Sequence, residues 1–194
     1  MPSVVSSPMF VFLDFEASSL AKLSYPIEVA WVFEDGRSEA HLIRPAPQWT
    51  DWDAEAEAVH HISRDMLERD GTPHDVVARR MVEQLSGHSL FASAPSWDGK
   101  WLSALLRAAK LPRHALRLRD TEEARVEGAR RKLAPVVPAE RLHIEIDDLL
   151  TLVEVGRKEG ERVHRALADA QEEHRHWLEV VTQAEAIARK DGHD

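Results

Sequence analysis

The chain has 194 residues, 43% of them hydrophobic and 30% charged, which suits one globular domain with its own core. Acidic residues number 34 against 25 lysines and arginines, and the net charge of −9 argues against a protein that coats nucleic acid nonspecifically. The absence of cysteine excludes disulfide scaffolds, thiolate zinc sites and a cysteine nucleophile. The early apolar run is short, so we expect no signal peptide, no membrane span and a cytoplasmic location.

Three strands are predicted in the first 44 residues. Residues 9–15 are apolar on both faces, which is typical of a central strand, and 27–33 form a second apolar run. Residues 34–37 have the composition of a hairpin turn, so 38–44 are expected to return as the third strand. The proposed domain covers 1–194, with its core at about 9–180 and the end of a C-terminal helix at 181–194.

Helices alternate with short strands in the rest of the chain. The predicted elements are a helix to about Arg69, a helix after Pro73 with Val76, Val77, Met81, Val82 and Leu85 inward, a strand at 89–94, a helix at 97–109, a strand at 116–118 and a helix at 121–133. Beyond Pro138 a helical third is interrupted by Gly156 and Gly160, and its last helix carries an apolar stripe of Val163, Leu167, Ala170, Trp177 and Val181. This order predicts a single α/β domain, a mixed sheet of about five strands flanked by helices.

Asp14 and Glu16 are the most informative pair of acids. Because strand side chains alternate, both project from the same face at the end of the most central strand. Adjacent carboxylates repel and lose solvation, and a divalent cation such as Mg²⁺ or Mn²⁺ is the obvious compensation. On this pair alone, a strand end that reaches solvent is the simpler interpretation.

Two further groups are candidates for the same chemistry. Asp98 begins a predicted helix after a short strand, where helix capping or a favourable negative charge in the first turn is the plain alternative. His164 and Asp169 lie five residues apart, about 140° around a regular helix, so they can share a site only if His164 precedes the helix. An ordinary surface or packing role is the plain alternative for this histidine.

One segment opposes the overall charge. Residues 107–132 hold nine lysines and arginines against four acids, which indicates either a solvated helical face or a rim that contacts phosphates. Its candidate substrate-binding residues are Arg113, Arg117, Arg125, Arg130 and Arg131.

The tryptophans divide into two groups. Trp31, Trp97, Trp101 and Trp177 fall on apolar faces and are predicted core residues. Trp49 and Trp52 flank a proline-rich loop, where packing against the sheet edge is the simpler interpretation and stacking on a base is the alternative.

Five segments, in order, resemble the DEDDh family of 3′–5′ exonucleases, which includes proofreading exonucleases, ribonuclease T and oligoribonuclease. The segments are Asp14-Phe15-Glu16 with Ala17-Ser18-Ser19-Leu20, Ile27-Glu28-Val29-Ala30, Ala58-Val59-His60-His61-Ile62-Ser63, Trp97-Asp98 with Trp101-Leu102, and His164 to Asp169. Each motif alone is weak, but together they extend from about residue 9 to 180.

The resemblance implies a ribonuclease H-like fold and a metal-dependent 3′–5′ exonuclease acting on single-stranded DNA or RNA. It implies two divalent cations, Mg²⁺ or Mn²⁺, held by Asp14, Glu16, Asp98 and Asp169. His164 would be the general base, which suits a side chain that titrates near neutral pH. Nucleoside 5′-monophosphates would be released, and the residues expected beside the terminal nucleotide are Ser18, Leu20 and Trp97.

Several positions depart from the family pattern. Where the family often has Thr, Gly, Asn and Gly, this chain has Ala17, Ser19, Ala94 and His61. None of these removes a predicted metal ligand or the base, but they leave the substrate preference open. A catalytically weak binding module of the same fold and an unrelated acidic domain with a structural metal are the alternative functions. A homodimer and a complex with a polymerase or repair partner both stay open.

Overall fold

The computed structural model describes residues 7–156 and 164–191. In these residues the strands are β1 Phe10–Ala17, β2 Pro26–Phe33, β3 Ser38–Arg44, β4 Thr72–Pro73, β5 Ser89–Ala92 and β6 Leu118–Asp120. The helices are α1 Ala54–His60, α2 Arg64–Asp70, α3 His74–Leu85, α4 Pro95–Ala108, α5 Thr121–Leu133, α6 Leu142–Gly156 and α7 Ala166–Asp191. The strands form one mixed sheet in the order β4-β3-β2-β1-β5-β6, which confirms the predicted fold class.

Strand β1 is central, as its apolar sequence predicts. It pairs antiparallel with β2 and parallel with β5, and its two faces meet different helices. Phe10 and Phe12 pack with Trp177 of α7, whereas Val11 and Leu13 join the larger core on the side of α3 and α4. Burial of each of these aromatic side chains stabilises the fold by about 2 kcal/mol. Asp14 continues the face of Phe10 and Phe12, towards α7.

Helix α7 lies close against α5 because Gly128 of α5 has no side chain. A Cβ atom at this position would lie 2.7 Å from Nε1 of Trp177 and 2.9 Å from a methyl carbon of Val181. The predicted apolar stripe is confirmed at Ala170, Trp177 and Val181, all buried, while Leu167 is half-buried. Val163 and Gly160 of the same prediction lie outside the described residues.

The turn at residues 34–37 is confirmed. Gly36 has a φ of 86°, a left-handed conformation that glycine adopts without strain, and the Phe33 amide donates to the Arg37 carbonyl over 2.8 Å. His61, where the family often has glycine, also has a left-handed backbone, with a φ of 57° at the C-cap of α1. The departure at His61 therefore keeps the backbone turn that separates α1 from α2, although one helix was predicted there.

Two sequence predictions are wrong in detail. Val76 is 45% exposed rather than inward, because α3 begins at His74 and turns its Val77–Met81 side to the sheet. The strand predicted at 116–118 lies at 118–120, since Leu116 turns into the main core. The sheet also has a sixth strand, the two-residue β4, beside Ile43 and Arg44.

No helix within 7–156 or 164–191 combines the length and apolar character needed to cross a bilayer.

Candidate active site

Three carboxylates from two elements converge at the end of β1. Asp14 and Glu16 project from β1, and Asp169 reaches them from the first turn of α7. One carboxylate oxygen from each lies within 4.8 Å of the other two. This spacing is short enough for all three to be ligands of the same cation, and carboxylate oxygens are the donors that Mg²⁺ and Mn²⁺ prefer.

Asp98 is the fourth acid of this group. It lies in the first turn of α4 and is 2% exposed. The N-cap of α4 is Ala94, so helix capping does not explain the aspartate. Its negative charge raises the pKa of Asp14 and of Glu16. We refer to Asp14, Glu16, Asp98 and Asp169 as the acidic cluster.

The acidic cluster holds more negative charge than its surroundings offset. Burial first, and then the carboxylates of Asp98, Glu16 and Asp169, raise the pKa of Asp14 well above its ordinary value. Burial also raises the pKa of Glu16 to about 7 and that of Asp98 to about 7. Buried acids that repel one another need a cation to remain charged at neutral pH, so the donor set fits divalent metal ions.

These pKa shifts predict an unusual pH dependence of stability. A carboxyl whose pKa is higher in the folded state binds its proton more tightly there, so the free energy of unfolding falls as the pH rises from about 4 to about 7. With metal removed by EDTA, we expect Asp14→Asn to be more stable than the native chain at about pH 8, because the variant lacks the buried charge that the other carboxylates repel.

The difference should shrink as the pH falls below about 7, because Glu16 and Asp98 take up protons in that range. Urea unfolding of both proteins across this pH range, with EDTA and then with Mn²⁺, measures these quantities. Mn²⁺ should stabilise the native chain more than the variant. Equal stability of the two proteins at every pH would contradict the assignment of repulsion to this cluster.

His164 precedes α7, as the five-residue offset to Asp169 requires. Helix α7 begins at Ala166, and His164 is half-buried with a φ of 48°, in the left-handed region. The angular argument against a shared site therefore does not apply, because the histidine is outside the regular helix.

Glu28 is a buried acid to which the sequence assigned no role. It lies on β2 directly opposite Glu16, is 4% exposed, and is ion-paired with Arg165. The signal in the sequence is a single acid within a strand whose other residues are apolar.

The loop after β1 presents Leu20 to solvent but not the Ser18 side chain. Leu20 is 71% exposed, whereas Ser18 is fully buried, donates to Asp51 over 3.0 Å and accepts from the Tyr25 amide over 3.1 Å. Ser18 therefore shapes the loop, and its hydroxyl is unavailable to a nucleotide. Trp97 is 38% exposed, so the prediction of a core residue is wrong there, and Lys100 lies 4.9 Å above its ring.

The other tryptophans follow the sequence interpretation. Trp31, Trp101 and Trp177 are buried. Trp49 stacks on Tyr25 with ring centres 5.1 Å apart, and Trp52 donates to Glu57 over 2.7 Å. Both belong to the packing of the sheet edge.

The basic segment 107–132 is partly neutralised by acids within it and by acids of α7. Arg125 pairs with Glu173 at 3.3 Å, and Arg131 pairs with Glu127 at 2.9 Å. The remaining candidates Arg113, Arg117 and Arg130 are exposed. The partner of Arg125 lies close to the acidic cluster. Glu173 is one helical turn beyond Asp169, and its negative charge raises the pKa of Asp14.

Comparisons with known proteins give structural likeness only. No protein-family model matches the chain, and no curated protein sequence matches it. The solved structures that it resembles include E. coli exonuclease I with a dA16 oligonucleotide (TM-score 0.64, 17% identity, 94% of this chain and 42% of that chain). A zinc-bound E. coli exonuclease I complex with single-stranded DNA has a TM-score of 0.60 and 16% identity, over 96% of this chain and 42% of that chain. Exonuclease I from Methylocaldum szegediense has a TM-score of 0.61 and 18% identity, over 93% of this chain and 42% of that chain.

The chain therefore spans less than half the length of these exonuclease I chains. At this identity the likeness shows the fold alone, and it confirms the predicted ribonuclease H-like architecture.

Proposed function

We propose that the protein is a metal-dependent 3′–5′ exonuclease that removes nucleoside 5′-monophosphates from the 3′ end of single-stranded DNA or RNA. The observation that carries this proposal is the convergence of Asp14, Glu16 and Asp169 within 4.8 Å, with Asp98 buried beside them. Four acids that repel one another in a half-buried site destabilise the fold unless they hold cations. The likeness to exonuclease I adds that this fold supports such chemistry.

The acidic cluster would hold two divalent cations, Mg²⁺ or Mn²⁺. The chemistry supplied by bound cations is the stabilisation of negative charge on the attacking and leaving oxygens during in-line displacement at phosphorus. Asp14 would be the central ligand, because the negative charges of the three other acids all raise its pKa. Closed structural zinc sites prefer cysteine and histidine ligands, so four carboxylates favour a catalytic rather than a structural metal.

His164 would be the general base. It would accept the proton of the attacking water as the water oxygen bonds to phosphorus. The bond between phosphorus and the 3′ oxygen of the preceding nucleotide would then break, and that oxygen would take up a proton from solvent. Its place before α7 brings it to the same end of the helix as Asp169. The released nucleotide keeps the phosphate on its 5′ oxygen.

The surface around the acidic cluster suits a single-stranded end. Leu20 and Trp97 are exposed apolar side chains at the loop after β1 and at the start of α4, where a terminal base can stack or pack. The exposed Arg113, Arg117 and Arg130 would contact backbone phosphates, because Arg125 is already ion-paired with Glu173.

A labelled oligonucleotide assay tests the proposal. We expect 5′-labelled single-stranded DNA or RNA to shorten stepwise from its 3′ end with Mg²⁺ or Mn²⁺, and to stay intact with EDTA. A circular single strand, which has no 3′ end, should resist, and this control separates an exonuclease from an endonuclease. Intact polymers and dinucleotides under every metal condition would overturn the proposal and favour the binding module.

A further inference from the structure

Glu28 holds the start of α7 with both of its carboxylate oxygens. The Arg165 guanidinium donates from Nε to Oε2 over 3.0 Å and from Nη2 to Oε1 over 2.6 Å. The Ala166 amide donates to Oε2 over 3.0 Å. A buried carboxylate is costly unless it is paired and hydrogen-bonded, and these three donors satisfy that requirement.

The residues that supply these donors lie directly after His164 in the chain, and one of them is hydrogen-bonded to Asp169. Arg165 follows His164 in the chain, and its carbonyl accepts a hydrogen bond from the Asp169 amide over 3.1 Å. His164 has a φ of 48°, which is disfavoured for a residue with a side chain and persists only where the surrounding contacts enforce it. On the other side, Glu28 lies opposite Glu16 in the register of β1 and β2.

We propose that the Glu28–Arg165 pair, here called the clamp, is a positioning device that fixes His164 and Asp169 relative to the acids of β1. The proposal rests on the proposed nuclease function. Glu28 is too deeply buried to touch a substrate, with its side chain 5% exposed, so it acts through the backbone that it holds. Both ends of the clamp are needed, because the guanidinium fork supplies two of the three donors.

Steady-state kinetics distinguish positioning from a general loss of structure. A displacement of about 1 Å at a reacting group lowers the rate about 100-fold, so we expect Glu28→Gln to lower kcat by about that factor with KM within about twofold of native. Arg165→Lys keeps the charge but loses the planar fork, and it should lose kcat to a similar extent. A near-native Arg165→Lys would overturn the clamp and assign Arg165 a role as a charge only.

The chain offers a matched control. Arg80 of α3 and Glu39 of β3 form a pair with the same two-bond geometry, at 3.0 and 2.7 Å, on elements that carry none of the acidic cluster. Glu39→Gln should leave kcat at the native value. Glu28→Gln combined with Arg165→Lys should lose little more than either single variant, because the two residues act as one unit.

Amide hydrogen-exchange rates test the clamp in the absence of substrate. In Glu28→Gln we expect the amides of residues 164–170 to exchange at least about tenfold faster, while those of α3 and β5 stay at native rates and show that the fold is retained. If the native chain has no nuclease activity but this local change appears, the proposed function fails and the clamp stands. Unchanged exchange and unchanged kcat in Glu28→Gln, with an active native enzyme, would overturn the clamp.

Discussion

Replacement of Asp14 by Asn is expected to lower the rate of oligonucleotide hydrolysis by roughly 10³-fold or more. The amide has the size of the carboxylate, so no cavity forms and the strand pairing of β1 is kept. What is lost is the negative charge at the centre of the acidic cluster, on which Glu16, Asp98 and Asp169 all act. The measurement is single-turnover decay of a 5′-labelled single strand with saturating Mg²⁺.

The matched control for this variant is Glu140→Gln, which also removes one acid but at an exposed position outside the cluster. It should retain native activity. An Asp14→Asn variant with activity within about tenfold of native would show that hydrolysis takes place elsewhere on the molecule.

The second large effect is expected for His164→Ala, which should lower kcat by roughly 10²- to 10⁴-fold. The variant removes the group that accepts the proton of the attacking water, but it leaves all four carboxylates in place. Mn²⁺ binding should therefore stay at the native level, unlike in Asp14→Asn. Added imidazole should restore part of the rate, because it supplies a base of the same chemistry.

His143→Ala is the comparison for this histidine, since His143 is exposed in the first turn of α6 and lies outside the segments assigned to metal or substrate. It should be indistinguishable from native. Native kcat in His164→Ala would remove the histidine from the mechanism, and a weakened Mn²⁺ affinity there would assign it to metal binding instead.

The central part of the fold follows directly from the sequence. Apolar residues on both faces of 9–15 predict a central strand, and the structure places β1 between β2 and β5. The helix predicted at 121–133 has those bounds, because Asp120 caps its first turn with a capping box to Glu123. Local chemistry of this kind is visible in the residues themselves.

Other features depend on tertiary packing and were invisible or misplaced. The inward stripe of α3 excludes Val76 because the start of the helix sets which side faces the sheet. Trp97 falls on the apolar face of the predicted helix, but it lies at the surface in the first turn of α4. The hydrogen bond of the Ser18 hydroxyl to Asp51 of a distant loop could not be seen in the sequence either, and contact of a nucleotide with the Ser18 backbone stays a prediction.

The candidate site was predicted in part. The convergence of Asp14, Glu16 and Asp169 could be expected from alternation along a strand and from the family resemblance. Glu28 could not, because its partners Arg165 and Ala166 lie 137 and 138 residues further along the chain. A pairing of that separation has no periodic signal in the sequence.

Direct titration of Mn²⁺ into the native chain and into Asp14→Asn tests the central claim that the acidic cluster is a divalent metal site. It needs no knowledge of whether DNA or RNA is the substrate. At about pH 7.5, isothermal titration calorimetry should give two sites in the native chain, with binding weakened about 100-fold or more in the variant. Equal Mn²⁺ binding by the two proteins would contradict the account.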